Sequence, residues 1–151
     1  MLALVLAALA AAPDGFIEMT VAGVAPTDQG HAVLLVDAGK TRFVPIFVGE
    51  SEALAISLRS THQPFERPLT HDLLDAILGK LGGKLGEVRI MSLREATFIA
   101  TLTVKDGDVV HTFDARPSDA IALALGSNVP IWVSANLVKA TAVPLDPKAK
   151  E

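Results

Sequence analysis

Alternation of apolar and polar residues marks most of this chain as strand. Ile17, Met19 and Val21 alternate with Glu18 and Thr20, so residues 16–24 read as a strand with one buried face. The turn formers Ala25-Pro26-Thr27-Asp28-Gln29-Gly30 end it. Residues 31–37 and 40–48 follow as a hairpin across Ala38-Gly39, with His31 an exposed residue at its start. Pro45 cannot donate to a ladder, which places the second arm at an edge or a bulge. Residues 88–93 form another strand, and residues 97–104 and 109–115 a second hairpin across Asp106-Gly107. That turn sets Leu102 opposite His111 and Ala100 opposite Phe113, making His111 a core histidine on an apolar face. Thr97, Thr101, Thr103, Thr112 and Asp114 collect on the other face.

Three stretches break the alternation and read as helices. Glu50-Ser51-Glu52 opens the first, whose body from Ala53 to Leu58 is almost wholly apolar. Thr70 caps the second, leaving His71 and Asp72 in its first turn. Its stripe of Leu73, Leu74, Ile77, Leu78 and Leu81 predicts a core-facing side, and Gly82-Gly83 stops it. The third starts at Pro117, where a missing N–H costs nothing, and is apolar on every side through Leu125. Ile131 to Val133 make a last short strand, and Ser134 caps one further turn to Val138.

The class is therefore α+β: a mainly antiparallel sheet with three helices, two of them nearly all-apolar. Aligning Glu52 with Asp119 puts Ala53 on Ala120, Ala55 on Ala122 and Leu58 on Leu125, which suggests an internal strand–helix duplication.

The ends differ from the body. Residues 1–14 form an apolar, Ala-rich leader or packing segment, too short for the roughly 20 apolar residues a bilayer span needs. Residues 1–12 fit the hydrophobic part of a signal peptide but lack a preceding Lys or Arg, so both cytoplasmic and exported locations stay open. No stable membrane insertion is expected. Residues 15–140 make one domain, and 141–151, with Pro144 and Pro147, a flexible tail. The polar, proline-bearing stretch 61–68 is the loop expected to move most.

Composition changes this picture in three ways. Half of the 151 residues are hydrophobic and the mean hydropathy is +0.44, more than one small core needs, which predicts a homo-oligomer, most simply a dimer. The absence of cysteine removes disulfides, thiolate metal sites and Cys nucleophiles. A net charge of −4 without any Lys/Arg run supplies no basic footprint for a phosphate backbone.

Unusual polar chemistry concentrates where the last hairpin enters the third helix: Asp114, Arg116, Ser118 and Asp119 share one short turn. Asp and Ser at such a turn cap helices more often than they catalyse. The run Asp114-Ala115-Arg116-Pro117-Ser118-Asp119-Ala120-Ile121-Ala122-Leu123-Ala124-Leu125 nevertheless resembles the signature of the bifunctional nuclease domain family. Pro68-Leu69-Thr70-His71-Asp72-Leu73-Leu74 and the stretch from Pro45 to Ile56 resemble it too, and the similarity runs from about Phe43 to Val138. The resemblance implies a nuclease, a phosphodiesterase acting on RNA and DNA. It also draws attention to His71 and Asp72.

No Gly-rich phosphate loop, zinc-ligand spacing or Gly-flanked nucleophile is present. Carboxylates, Arg, His and hydroxyls suit a divalent metal with oxygen ligands and a water nucleophile. On this reading Asp114 and Asp119, with Glu52 or Asp72, bind Mg2+ or Mn2+. Arg116 holds phosphate, His71 shuttles protons, and Glu50 is a reserve ligand. The alternative is a non-enzymatic oligomeric module that binds a ligand or a partner, with the acids as caps.

Overall fold

The computed structural model describes residues 11–146, so most of the expected apolar leader and the end of the tail lie outside the described residues. The strands are β1 (Phe16–Thr27), β2 (Gly30–Asp37), β3 (Arg42–Val48), β4 (Gly83–Arg94), β5 (Thr97–Asp106), β6 (Val109–Ala115), β7 (Ile131–Ser134) and β8 (Val143–Pro144). They form one sheet in the order β6-β5-β4-β7-β1-β2-β3-β8, antiparallel except where β4 runs beside β7. The helices are α1 (Glu50–Ser60), α2 (Thr70–Lys80), α3 (Pro117–Ser127) and α4 (Ala135–Thr141). The fold is α+β as expected, with four helices rather than three. The turn capped by Ser134 continues for seven residues because Leu137 and Val138 are drawn into the core.

Helices α1 and α3 each follow the third strand of a three-stranded meander and pack on one another. Helix α3 also touches β3, β4 and β5, although β7, β1 and β2 separate β3 from β4 in the sheet. The sheet therefore curls around α3. The middle of a helix so enclosed has no solvent face, which is why Ala120 through Ala124 are all buried. They share one core with Met19, Leu35, Ile46, Ile56, Ile90 and Val133.

Five expectations are corrected. Strand β1 runs on through Pro26 to Thr27, since β2 pairs with it to that point. The α2 stripe does not face the core: Leu73, Leu74, Ile77 and Leu81 are exposed, Leu78 only touches the core's margin, and His71 is the buried residue. With α1 and α3 filling the curl of the sheet, α2 is left to dock by its polar side. The β5–β6 turn is Gly107-Asp108, with Gly107 at φ +58°, so Leu102 pairs with Phe113 and Val104 with His111. A shift of two residues keeps each side chain on its expected face. Even so, β6 lies at the rim beyond the helices, and His111 is exposed rather than core. At the far end, Val143 and Pro144 pair with Phe43 and Arg42 where a tail was expected. Pro45 lies beyond this pairing, where β3 is an edge, as its missing N–H demands.

Among the described residues no helix is long and apolar enough to cross a membrane.

Candidate functional site

Two acids stand at matching places in the fold. Helix α1 starts after Gly49 and α3 after Arg116, so Glu52 and Asp119 are each the third helical residue, near free N–H groups and the positive end of the dipole. Pro117 occupies the first position of α3 as anticipated. A Cβ on Gly49 would stand 2.5 Å from Glu52 Oε2, so glycine leaves the room into which Glu52 folds back.

Arg116 bridges the two acids. Its Nε and Nη2 donate to Asp119 Oδ2 and Oδ1 at 2.7 and 3.0 Å, a fork on a carboxylate, and its Nη1 lies 3.0 Å from Glu52 Oε1. Three of the five guanidinium N–H donors are thereby engaged, leaving two on a side chain that is 64% exposed. Asp119 Oδ1 also meets His71 Nε2 at 2.9 Å, and the His71 side chain is 10% exposed. Glu52, Arg116, Asp119 and His71 thus form one continuous chain of contacts across α1, α2 and α3. Hydrogen bonds and opposite charge hold Arg116 firmly protonated. Burial pushes the Asp119 carboxyl up, but the hydrogen bonds from Arg116 and His71 outweigh it and hold it below the usual carboxylate range.

Other candidates lie elsewhere. Asp72 accepts the Leu69 backbone N–H at 2.8 Å, so Leu69, not Thr70, is the residue before the helix, and Asp72 caps it from inside. Asp72 also accepts Arg59 Nη2 at 2.8 Å. The Leu69 N–H first, then Arg59, keep its carboxyl below the usual range against the opposing effect of burial. Asp114 sits exposed on β6 opposite Thr101, with no hydrogen bond or ion pair among the described residues. Glu50 is exposed at the first position of α1.

The acids proposed as metal ligands are consequently divided. Both Asp119 oxygens are occupied by Arg116 and His71. No group of three or more His, Asp or Glu among the described residues is placed to hold a metal ion. As arranged, these residues do not fit a divalent ion.

Arg59 and Asp75 were not anticipated from the sequence. Arg59 Nη1 donates to the Ala122 carbonyl at 2.7 Å, and Nη2 reaches Asp72 and Asp75, each at 2.8 Å. This one side chain ties α1 to α3 and to the polar side of α2, the turn that presents His71. A signal existed. Ile56 and Arg59 are three residues apart on α1, so the buried side of that helix ends in a charge, and a buried charge needs partners. Gly126 makes space for it, because a Cβ there would overlap the Arg59 guanidinium and stand 2.6 Å from Asp75 Oδ2. Gly126→Ala is expected to cost about 1–3 kcal/mol, as overpacking does. Thermal unfolding checks this, and an unchanged melting temperature would show that the guanidinium does not depend on that gap.

A cavity of about 390 Å³ lies at the other ends of α1 and α3, lined by Glu18, Arg59, His62, Asn128 and Trp132 among others. None of the four residues of the Arg116 chain lines it.

Comparison with known proteins adds the family. Residues 33–146 match the bifunctional nuclease domain. An uncharacterized protein of Mycobacterium tuberculosis is 45% identical over 106 residues, covering 70% of this chain and 63% of that protein. Proteins named bifunctional nuclease 2 are 34% identical in Oryza sativa subsp. japonica and 32% in Arabidopsis thaliana, over 72% and 68% of this chain. The chain spans less than two thirds of the mycobacterial relative's length and about a third of either plant protein.

Proposed function

The chain belongs to the bifunctional nuclease domain family, and we propose that it cleaves phosphodiester bonds of RNA and DNA at the Glu52–Arg116–Asp119–His71 chain. The supporting observation is the Arg116 guanidinium, fixed from behind by two carboxylates with two N–H donors turned to solvent. A planar fork held in place is suited to phosphate oxygens, and stabilises the charge that grows on them as water attacks. The His71–Asp119 pair takes up the proton that the attacking water releases and returns it to the leaving oxygen as the P–O bond breaks. Substrate enters from the open side of Arg116, since His71 is enclosed.

One observation favours a second reading. Arg116 is already neutralised by its own acids, and the chain carries net negative charge, so the cluster also works as a clamp between the starts of α1 and α3. On that reading the protein is a ligand- or partner-binding module.

Purified chain incubated with single-stranded RNA and DNA separates the two. The nuclease reading expects cleavage that co-elutes with the protein and is lost in Arg116→Lys, which cannot offer the fork. Absence of cleavage on both substrates leaves the clamp. Parallel reactions with Mg2+, with Mn2+ and with chelator test the divalent-ion requirement. Loss of activity in chelator would mean that Glu52 and Asp119 exchange Arg116 for an ion.

A further inference from the structure

The two edges of the sheet are unlike. Strand β8 pairs with the start of β3, whereas β6 has β5 on one side and, among the described residues, no strand on the other. Open edges in folded proteins usually carry Lys, Pro or a bulge that discourages further pairing. Strand β6 has none of these: it reads Val109-Val110-His111-Thr112-Phe113-Asp114-Ala115 and pairs with β5 without a break. Val109 and Phe113 lie on the face that carries buried Leu102 and Val104, yet are 55% and 50% exposed. The core face simply continues past its cover.

The backbone of β6 fixes how a neighbour would pair. A two-residue loop closes on a pair that exchanges both hydrogen bonds, here Asp106 and Val109. Alternation then directs the N–H and C=O groups of Val109, His111 and Phe113 toward β5. Those of Val110, Thr112 and Asp114 point outward.

We propose that β6 pairs antiparallel with β6 of a second copy of this chain about a two-fold axis at Thr112, and that Asp108 of each copy reaches Arg116 of the other. Thr112 is the middle of the strand, so this register pairs all of Val109–Ala115. It sets His111 opposite Phe113, Val109 opposite Ala115 and Val110 opposite Asp114. One step further at each end, Asp108 faces Arg116, whose backbone is still extended at φ −67° and ψ 142°. Charge selects this register. Moving the axis to His111 would set Asp108 against Asp114, two acids in contact, and would place Ala115 opposite the turn. Asp108 takes up an Arg116 N–H left free within the chain, so each Arg116 chain is completed across the interface. The pairing does not depend on the nuclease reading, but the two compete at Arg116, because Asp108 takes one of the two N–H donors proposed for phosphate.

The chain has no cysteine, so Thr112→Cys introduces the sole thiol. Directly opposed residues of a hydrogen-bonded antiparallel pair have Cα and Cβ atoms each about 5.5 Å apart, too wide for an unstrained disulfide but within the span of a short bis-thiol-reactive reagent. Thr112→Cys treated with a short bis-thiol-reactive cross-linker is expected to run as a covalent dimer on a denaturing gel, and Val110→Cys, displaced four residues from its own copy, as monomer. Light scattering at micromolar concentration should give the dimer mass for wild type. Val110→Glu, at a site 57% exposed, sets an acid against Asp114 of the other copy twice over and should give the monomer mass with an unchanged circular dichroism spectrum. Asp108→Lys should raise the dimer dissociation constant about tenfold or more, because like charges then meet. A monomeric wild type overturns the proposal. So does a dimer that survives Val110→Glu, or cross-linking through Val110→Cys in place of Thr112→Cys.

Discussion

Arg59→Met should loosen α2 from the rest of the molecule and lower stability by about 2–3 kcal/mol. Breaking a fully buried ion pair typically costs ~3–5 kcal/mol. Here Arg59 is 11% exposed, but Asp72 and Asp75 keep 43% and 28% of their side-chain exposure, and water recovers part of the loss. The Ala122 carbonyl also loses its donor, and Met fills the volume without replacing any of the three bonds. For a chain of this size the change corresponds to a fall in melting temperature of roughly 4–12 °C. Because α2 turns Leu73, Leu74, Ile77 and Leu81 to solvent, little apolar packing holds it once Arg59 is gone. His71 should then lose its contact with Asp119, and amide exchange should accelerate across Thr70–Lys80 well before it does in α3. Uniform protection over both helices in the variant would show that α2 is held by something other than this guanidinium.

That dependence explains what could and could not be read in the sequence. Helix α3 was legible because its pattern carries its own answer: an apolar circumference can only be buried, and Pro117 marks its start. The same stretch held Arg116 and Asp119, and the matching acid Glu52 opens α1, so three of the four residues in the chain of contacts were visible together. His71 was visible only through resemblance. Helix α2 failed because its pattern fits two dockings, by leucines or by acids. The choice was made by Arg59, eleven residues before α2 begins. The β5–β6 register failed for a local reason, since Asp106-Gly107-Asp108 offers two adjacent two-residue turns of similar chemistry. Exposure of His111 was not legible at all, because it depends on where the helices stop covering the sheet. Asp72 and Asp114 look like Asp119 in sequence. Only the folded chain shows that one holds a helix start against Arg59 and the other lies on an open strand.

Asp119→Asn tests whether the remaining acid is chemistry or clamp. Asparagine keeps the shape and one acceptor, so Arg116 retains a single bond where it had a fork, and His71 loses a charged partner. Arg116 is largely exposed, so the lost pair is worth only about 0–1 kcal/mol, with ~0.3–1 kcal/mol more from the helix dipole. The pH dependence has a definite sign. The Asp119 carboxyl is held below its usual range in the folded chain, so its stabilising charge is fully present above the unfolded value near pH 4 and is lost as pH falls through the folded value. Wild type and Asp119→Asn should therefore differ most in melting temperature near neutrality and converge in acid. Activity should behave differently. If the His71–Asp119 pair receives the proton from water, the variant should cleave RNA and DNA about 10²–10⁴-fold more slowly at neutral pH, the range for a positioned acid–base group. A loss of this size with a melting temperature only a few degrees lower assigns Asp119 to the reaction. Wild-type turnover with the same converging melting curves assigns it to the clamp, and the nuclease site would then have to lie away from Arg116.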